Sequence, residues 1–412
     1  MAHVRYFLSV WAGLAIAAGH VLAVETPEAR TPISLSEVLA GASGLCVLVD
    51  VSTDVVTQAA ARPGLLVHCL ARDPHAAVQL QEMVAGAATR ATIQAEHWNA
   101  ARLPHADNLA NVVIVGDGAE INLDEINRVL CPGGIAVRIS EGSVSQLRKP
   151  IPADTDEWTH QWHAAEGGLV TDDKRAGVPQ GVQWLAGPLF AMAGRKSSTQ
   201  SLVSAGGINF YLTQNVLENV GASEKRQYLV ARDAYNGLTR WQRPWNGPYV
   251  TGDGETNARM VATPDRLYVA GDNQLLALNS QTGVVLASRT LAASADKLLF
   301  HDDSVLVQSA LGVQAFDSEF HQKRWSFAER NTSGLVAWDG SAYYLIRGRS
   351  PDGNFQHELV RREVRTGRQQ WRRSTQPHVL SSMVQLGFVQ DGLIGLQAHG
   401  HFHLFSANDG HH

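Results

Sequence analysis

The stretch that decides the fold is Asp233-Ala234-Tyr235-Asn236-Gly237-Leu238-Thr239-Arg240-Trp241. It sets out a unit of a polar or acidic residue, glycine four later and tryptophan eight later. The unit returns as Asn279, Gly283 and Ala287, then as Asp317, His321 and Trp325, then as Glu363, Gly367 and Trp371, and opens again at Ser406 and Gly410. Intervals of 46, 38, 46 and 43 residues suit four strands per propeller blade. Before each turn lies a strand pair of alternating character, such as Arg266–Ala270 followed by Gln274–Leu278. The residue types have a structural reason: glycine tolerates the positive φ of a tight turn, the acid caps turn N–H groups, and an indole buries a large area against the next sheet.

These copies resemble the PQQ-repeat family, which implies an all-β propeller over residues 165–412. In the quinoprotein dehydrogenases of that class the resemblance would imply pyrroloquinoline quinone held against a vicinal disulfide, with calcium beside it. This chain has no adjacent cysteine pair and no cysteine after Cys131. Other members, similar to the outer-membrane assembly lipoprotein scaffold, bind proteins through exposed loops without a cofactor. The fifth copy stops short of its tryptophan, so the reading expects about five repeats and an incomplete, truncated ring. The alternatives are closure by strand exchange or completion by a partner.

Upstream, residues 34–147 alternate short apolar runs with helical stretches, the signature of βαβ units. Strands are expected at Cys46–Val51, Leu65–Leu70, Val112–Val115 and Ile135–Ile139, with helices at Pro74–Gly86 and Asp124–Leu130. The runs Arg128-Val129-Leu130-Cys131-Pro132-Gly133-Gly134 and Leu103-Pro104-His105-Ala106-Asp107-Asn108 resemble segments of class I S-adenosylmethionine-dependent methyltransferases. That family places a glycine-rich loop after its first strand. Here Asp50, Ser52 and Asp54 occupy the glycine positions, where side chains fill the space and two carboxylates repel the methionine carboxylate. The acid that would hold the ribose aligns with Ala71, and Asp73 comes two residues late. The Rossmann-like domain is therefore expected to be degenerate, with methyl transfer as the alternative.

A Pro-bearing junction at 148–164 carries Asp156-Glu157-Trp158-Thr159-His160-Gln161-Trp162-His163, followed by Val182-Gln183-Trp184. It resembles the segment that joins a methyltransferase-like domain to PQQ-like repeats in large exported bacterial proteins. Asp156, His160 and His163 would share one face of a helix and suit a divalent metal. Equally, they would pair with backbone groups while Trp158 and Trp162 pack where blades meet. His399, His401 and His403 alternate in an expected strand and present a second choice between metal ligands and an ordinary half-exposed strand.

Arg5, the apolar run Tyr6–Ala18 and Val21-Leu22-Ala23 read as a signal peptide at 1–23, which implies a periplasmic or secreted protein. An uncleaved anchor is the alternative, and no later stretch is long and apolar enough to span a membrane. Cys46, Cys69 and Cys131 form no CxxC or CxxCH motif and are expected as buried thiols. A net charge of −5 without a basic tract argues against nucleic acid. The reading is an exported, non-enzymatic scaffold for a protein or polysaccharide partner. The alternatives are a quinone-dependent oxidoreductase and a methyltransferase.

Overall fold

The computed structural model describes residues 34–86, 92–140, 143–178, 181–185, 199–214, 227–245, 259–351, 353–376, 379 and 384–412. The signal reading at 1–23 lies outside them. Chain order in the first unit is α1 (Leu35–Ala40), β1 (Gly44–Val49), α2 (Thr53–Ala60), β2 (Leu65–Ala71), α3 (Pro74–Gly86), β3 (Ile93–His97), β4 (Ala110–Val115), α4 (Leu123–Val129), β5 (Leu130–Ser140) and β6 (Ser143–Arg148). The sheet runs β3-β2-β1-β4-β5-β6. Its first five strands are parallel and β6 is antiparallel to β5.

Strands β1 and β4 are buried at every residue, as a sheet core covered on both faces requires. One apolar layer gathers Leu39, Val56 and Leu80 on one side of the sheet, and the other gathers Val113, Ile126 and Val129. Edge strands β3 and β6, with Gln94, Glu96, Ser143 and Gln146, are too polar for the apolar-run signal that predicts the other four. After α4, Cys131-Pro132-Gly133-Gly134 forms the irregular start of β5, with Gly133 at φ 78°.

The second unit is a set of antiparallel sheets. Blade 1 comprises β7 (Thr199–Ala205), β8 (Ile208–Gln214), β9 (Gln227–Asp233) and β10 (Thr239–Trp245). Blade 2 comprises β11 (Met260–Ala262), β12 (Arg266–Gly271), β13 (Gln274–Asn279) and β14 (Val285–Thr290). Blade 3 has β15 (Ala295–His301), β16 (Ser304–Ser309), β17 (Gly312–Asp317) and β18 (Lys323–Phe327). Blade 4 has β19 (Thr332–Trp338), β20 (Ser341–Arg349), β21 (Phe355–Glu363) and β22 (Gln369–Ser374). A fifth sheet holds β23 (Val384–Gln390), β24 (Leu393–Ala398) and β25 (His401–Ser406).

The repeat residues make the joints between blades. Trp184, Trp241, Trp325 and Trp371 lie against Gly237, Gly283, Gly367 and Gly410, each glycine at positive φ. A Cβ on these glycines would stand 2.4, 2.6, 2.5 and 2.9 Å from an indole carbon, so the tight turn and the close approach both require glycine. Each indole Nε1 donates to the carbonyl that follows the turn residue, Ala234, Ser280, Val364 or Ala407, at 3.1, 2.8, 2.7 and 3.2 Å. Asp233, Asn279 and Asp317 cap the turns, their Oδ1 atoms accepting from N–H groups two to four residues on.

The joint between blades 2 and 3 is built from the other side. The two irregular copies in the sequence, Ala287 for tryptophan and a third turn without glycine, are the two halves of this one joint. His321 does not stand in for the glycine, because Phe320 takes the positive φ of 59° and its N–H bonds Asp317 O at 3.1 Å. The Phe320 ring is buried against Tyr268 and Phe316, with Ala287 beside this cluster. The Ser318 carbonyl, which an indole would bond, accepts from Arg266 Nη1 and Tyr268 Oη at 2.8 and 3.1 Å.

Candidate functional site

In a doubly wound sheet, ligands bind beyond the carboxyl ends of the strands where the strand order reverses, here between β1 and β4. Asp50 leaves β1 in the left-handed region at φ 49°. Its carboxylate accepts from the Arg72 backbone N–H at 2.7 Å and from Arg72 Nε at 2.5 Å. Arg72 Nη2 continues to the Gly118 carbonyl at 2.8 Å, so one guanidinium bridges the end of β2, the end of β1 and the loop after β4. A Cβ at Gly116 would stand 1.9 Å from the Asp50 carbonyl oxygen, which shows how closely that loop approaches β1. Ser52 is the N-cap of α2 without a side-chain cap bond, Asp54 lies exposed in its first turn, and Asp73 accepts from the His75 N–H at the start of α3. The crevice is bridged by the chain's own side chains.

Beside it, His68 Nδ1 and His105 Nε2 lie 3.0 Å apart, and His68 Nε2 is 3.1 Å from Glu96. Burial, then the neighbouring His68 and Arg128, push His105 down to about 4, so its imidazole is neutral at physiological pH. Burial raises all three thiols, Cys46, Cys69 and Cys131, above their ordinary values, which makes them weak nucleophiles.

The opposite, amino end of the sheet is docked to blade 1. Asn111 on β4 donates through Nδ2 to Asp233 at 2.8 Å, and its Oδ1 accepts from Leu45 N and Asn236 Nδ2 at 2.8 and 2.7 Å. Asp233, 1% exposed, also receives Arg240 at 2.6 Å. The turn acid of the first repeat therefore serves two units at once.

The run 157–166 crosses the inner strand of every blade. Trp158 O accepts from Ser204 N on β7, Thr159 O from Ala262 N on β11, Ala165 O from Ala337 N on β19 and Glu166 O from Val389 N on β23, at 2.7, 3.0, 2.8 and 2.8 Å. On β15 the acceptor is a side chain, His160 Nε2, which takes Phe300 N at 3.0 Å. Each of these five donors is the last or next-to-last residue of its strand. An inner strand is the edge of its sheet, and its unpaired N–H groups need partners. The segment acts as a strap that supplies one acceptor per sheet.

Local contacts shape the strap. It is not helical; His163 pairs with Asp156, while His160 turns to Thr159 and Phe300. His160 Nδ1 bonds Thr159 Oγ1 at 2.7 Å, and burial, then Lys297, push its imidazole down to about 3, so Nε2 stays an acceptor. His163, at φ 75°, bonds Asp156 through Nε2 at 2.6 Å and meets the Trp158 ring edge-on. Burial works against the Asp156 charge, yet the N–H groups of Asp172 and Glu157, with His163 and Thr171, outweigh it and hold the carboxyl down to about 2. His399 sits at the β24–β25 turn, while His401 and His403 lie on β25, exposed and half-buried. Among the described residues, no group of three or more His, Cys, Asp or Glu side chains is arranged to hold a metal ion. Sequence reasoning singled out the strap but missed Arg72, Asn111 and Phe320. Arginine two residues after the tryptophan position, Arg243, Arg289 and Arg373, is a further repeat signal, each bonding a carbonyl of the next turn.

Residues 225–394 match the family described as outer membrane protein assembly factor BamB. No curated protein matches the chain. Among solved structures it is similar to BamB from Moraxella catarrhalis, at 18% identity over 50% of this chain and 71% of that one, with a TM-score of 0.34. It is also similar to a SAM-dependent methyltransferase from Aquifex aeolicus (13% identity, 24% of this chain and 56% of that one, TM-score 0.22). A geranyl diphosphate C-methyltransferase from Streptomyces coelicolor is similar at 17% identity, over 26% of this chain and 44% of that one, with a TM-score of 0.24. Residues 225–394 thus match a PQQ-type repeat family, and the blades follow a doubly wound α/β unit of Rossmann-like topology.

Proposed function

We propose that the chain is an exported, non-enzymatic scaffold whose ligand is another protein. The observation that carries this reading is the Arg72 bridge, which fills the place where a methyltransferase-like sheet would receive its cofactor. The strap gives the propeller a comparable internal occupant. The description of the matched family, an outer membrane assembly factor, supports an exported compartment and protein partners. No helix among the described residues is long and apolar enough to cross a membrane.

The outer strands support a protein over a polysaccharide. Val284, Val285 and Leu286 are exposed in a row at 60%, 42% and 49%, and the outer edge of β14 has no ladder partner among the described residues. An extended apolar peptide adds to such an edge. The reading is tested by turnover. Dye-linked oxidation after addition of pyrroloquinoline quinone and calcium, and methyl transfer from S-adenosylmethionine, are both expected at background. Saturable turnover in either assay overturns it.

A further inference from the structure

The inner strands carry a second level of polar groups, which no strap crosses among the described residues. Ser201 on β7, Arg259 just before β11 and Lys297 on β15 each stand three residues before the residue that bonds the strap, about 10 Å along the strand. Thr332 and Ser333 open β19 on the next blade. Ser201 Oγ, Arg259 Nε and Nη1, Thr332 Oγ1 and Ser333 Oγ are buried and have no hydrogen-bond partner among the described residues. Burial pushes the Lys297 ammonium down to about 8.

The strands set these groups on neighbouring blades. Lys297 is among the charges that depress the buried His160 imidazole. Strands β7, β11, β15 and β19 are successive neighbours around the strap. The ladders of β7, β15 and β19 each slip at this level, after Gln200, Ala295 and Ser333, and such bulges re-aim side chains out of the pleat. Ser201 is held at φ 53°, a conformation that costs energy outside glycine and persists where surroundings impose it.

Buried polar atoms without partners destabilise a fold, and here two guanidinium nitrogens and three hydroxyls lack partners among the described residues, with the Lys297 ammonium partly desolvated beside them in the sheet order. All five residues can donate, and the complement of such a set is a group with several acceptor atoms and negative charge. The guanidinium fork suits a planar or tetrahedral oxyanion. We propose that Ser201, Arg259, Lys297, Thr332 and Ser333 form an oxyanion-binding site at the inner strands of the propeller, taking a carboxylate or phosphate group. The site is independent of the scaffold reading.

The test uses the full chain, with inorganic phosphate and malonate as probes against chloride at equal ionic strength, followed by calorimetry and thermal melting. At least one probe is expected to bind saturably and raise the Tm, and the probe that binds assigns phosphate or carboxylate chemistry. Affinity falls as pH rises past about 8 because the Lys297 ammonium is lost. Lys297→Met and Arg259→Gln are expected to lose about tenfold or more in affinity. In chloride, both variants melt no lower than the parent, because a buried cation has been removed. The proposal is overturned if neither probe binds saturably, if binding is adventitious and survives both substitutions, or if both variants melt well below the parent in chloride, as a purely structural role requires.

Discussion

The Rossmann-like unit and the propeller occupy their ligand-accessible interiors by different means. In the first, one guanidinium reaches from β2 over β1 to the loop after β4, and every donor it uses finds an acceptor. In the second, main-chain carbonyls and one imidazole of a crossing segment serve five sheets, while a neighbouring level keeps buried donors without partners among the described residues. The contrast separates a local side-chain bridge, removable at little cost, from a distributed strap on which the assembly of blades depends. It also explains why the most distinctive run in the sequence, Asp156–His163, is structural: its unusual residues are acceptors and turn formers for the propeller axis.

The comparison is broken or sharpened by substitutions whose expected effects run from large to small. Trp325→Ala removes an indole from the Gly367 joint and is expected to cost about 3–5 kcal/mol in chemical denaturation. The partner experiment is Ala287→Trp, which crowds Phe320 and costs about 1–3 kcal/mol, with Phe320→Gly in the same chain recovering part of the loss. His160→Leu leaves Phe300 N–H buried without an acceptor and is expected to cost about 2–3 kcal/mol. If that variant melts like the parent, the strap is not a tie.

Acid sharpens the same point. His160 and Asp156 both have folded pKa values below their unfolded ones. For His160 the unfolded chain takes a proton from about pH 6.5 while the folded chain does not until about 3, so stability falls with falling pH across that window, by ~1.4 kcal/mol per unit at most. Asp156 adds stability above about 3.8 that is lost as pH falls towards about 2. His160→Gln, whose side chain does not titrate, should flatten the upper part of this acid limb in pH-dependent melting. At the small end, Arg72→Ala is expected to cost only about 1 kcal/mol, since the pair is partly exposed.

The repeats were legible because a tryptophan on a glycine turn is a steric requirement written in two residue types at fixed spacing. The joint between blades 2 and 3 was not, since Ala287 and Phe320 satisfy the same packing with the aromatic ring on the other partner, and no one-sided pattern detects such an exchange. In the Rossmann-like unit, apolar runs located the four inner strands, while the polar edges β3 and β6 carried too little signal. The loss of the loop glycines at Asp50, Ser52 and Asp54 was visible in sequence. That Arg72 would occupy the resulting space was not, because a salt bridge across β1 depends on strand order. Asn111 was invisible for a related reason: its partners lie over a hundred residues away.

The most direct test of a scaffold whose methyltransferase-like crevice is bridged by its own side chains is calorimetric titration of S-adenosylmethionine into the full chain. The account predicts no saturable heat up to about 1 mM ligand. One-to-one binding with a micromolar Kd would contradict it.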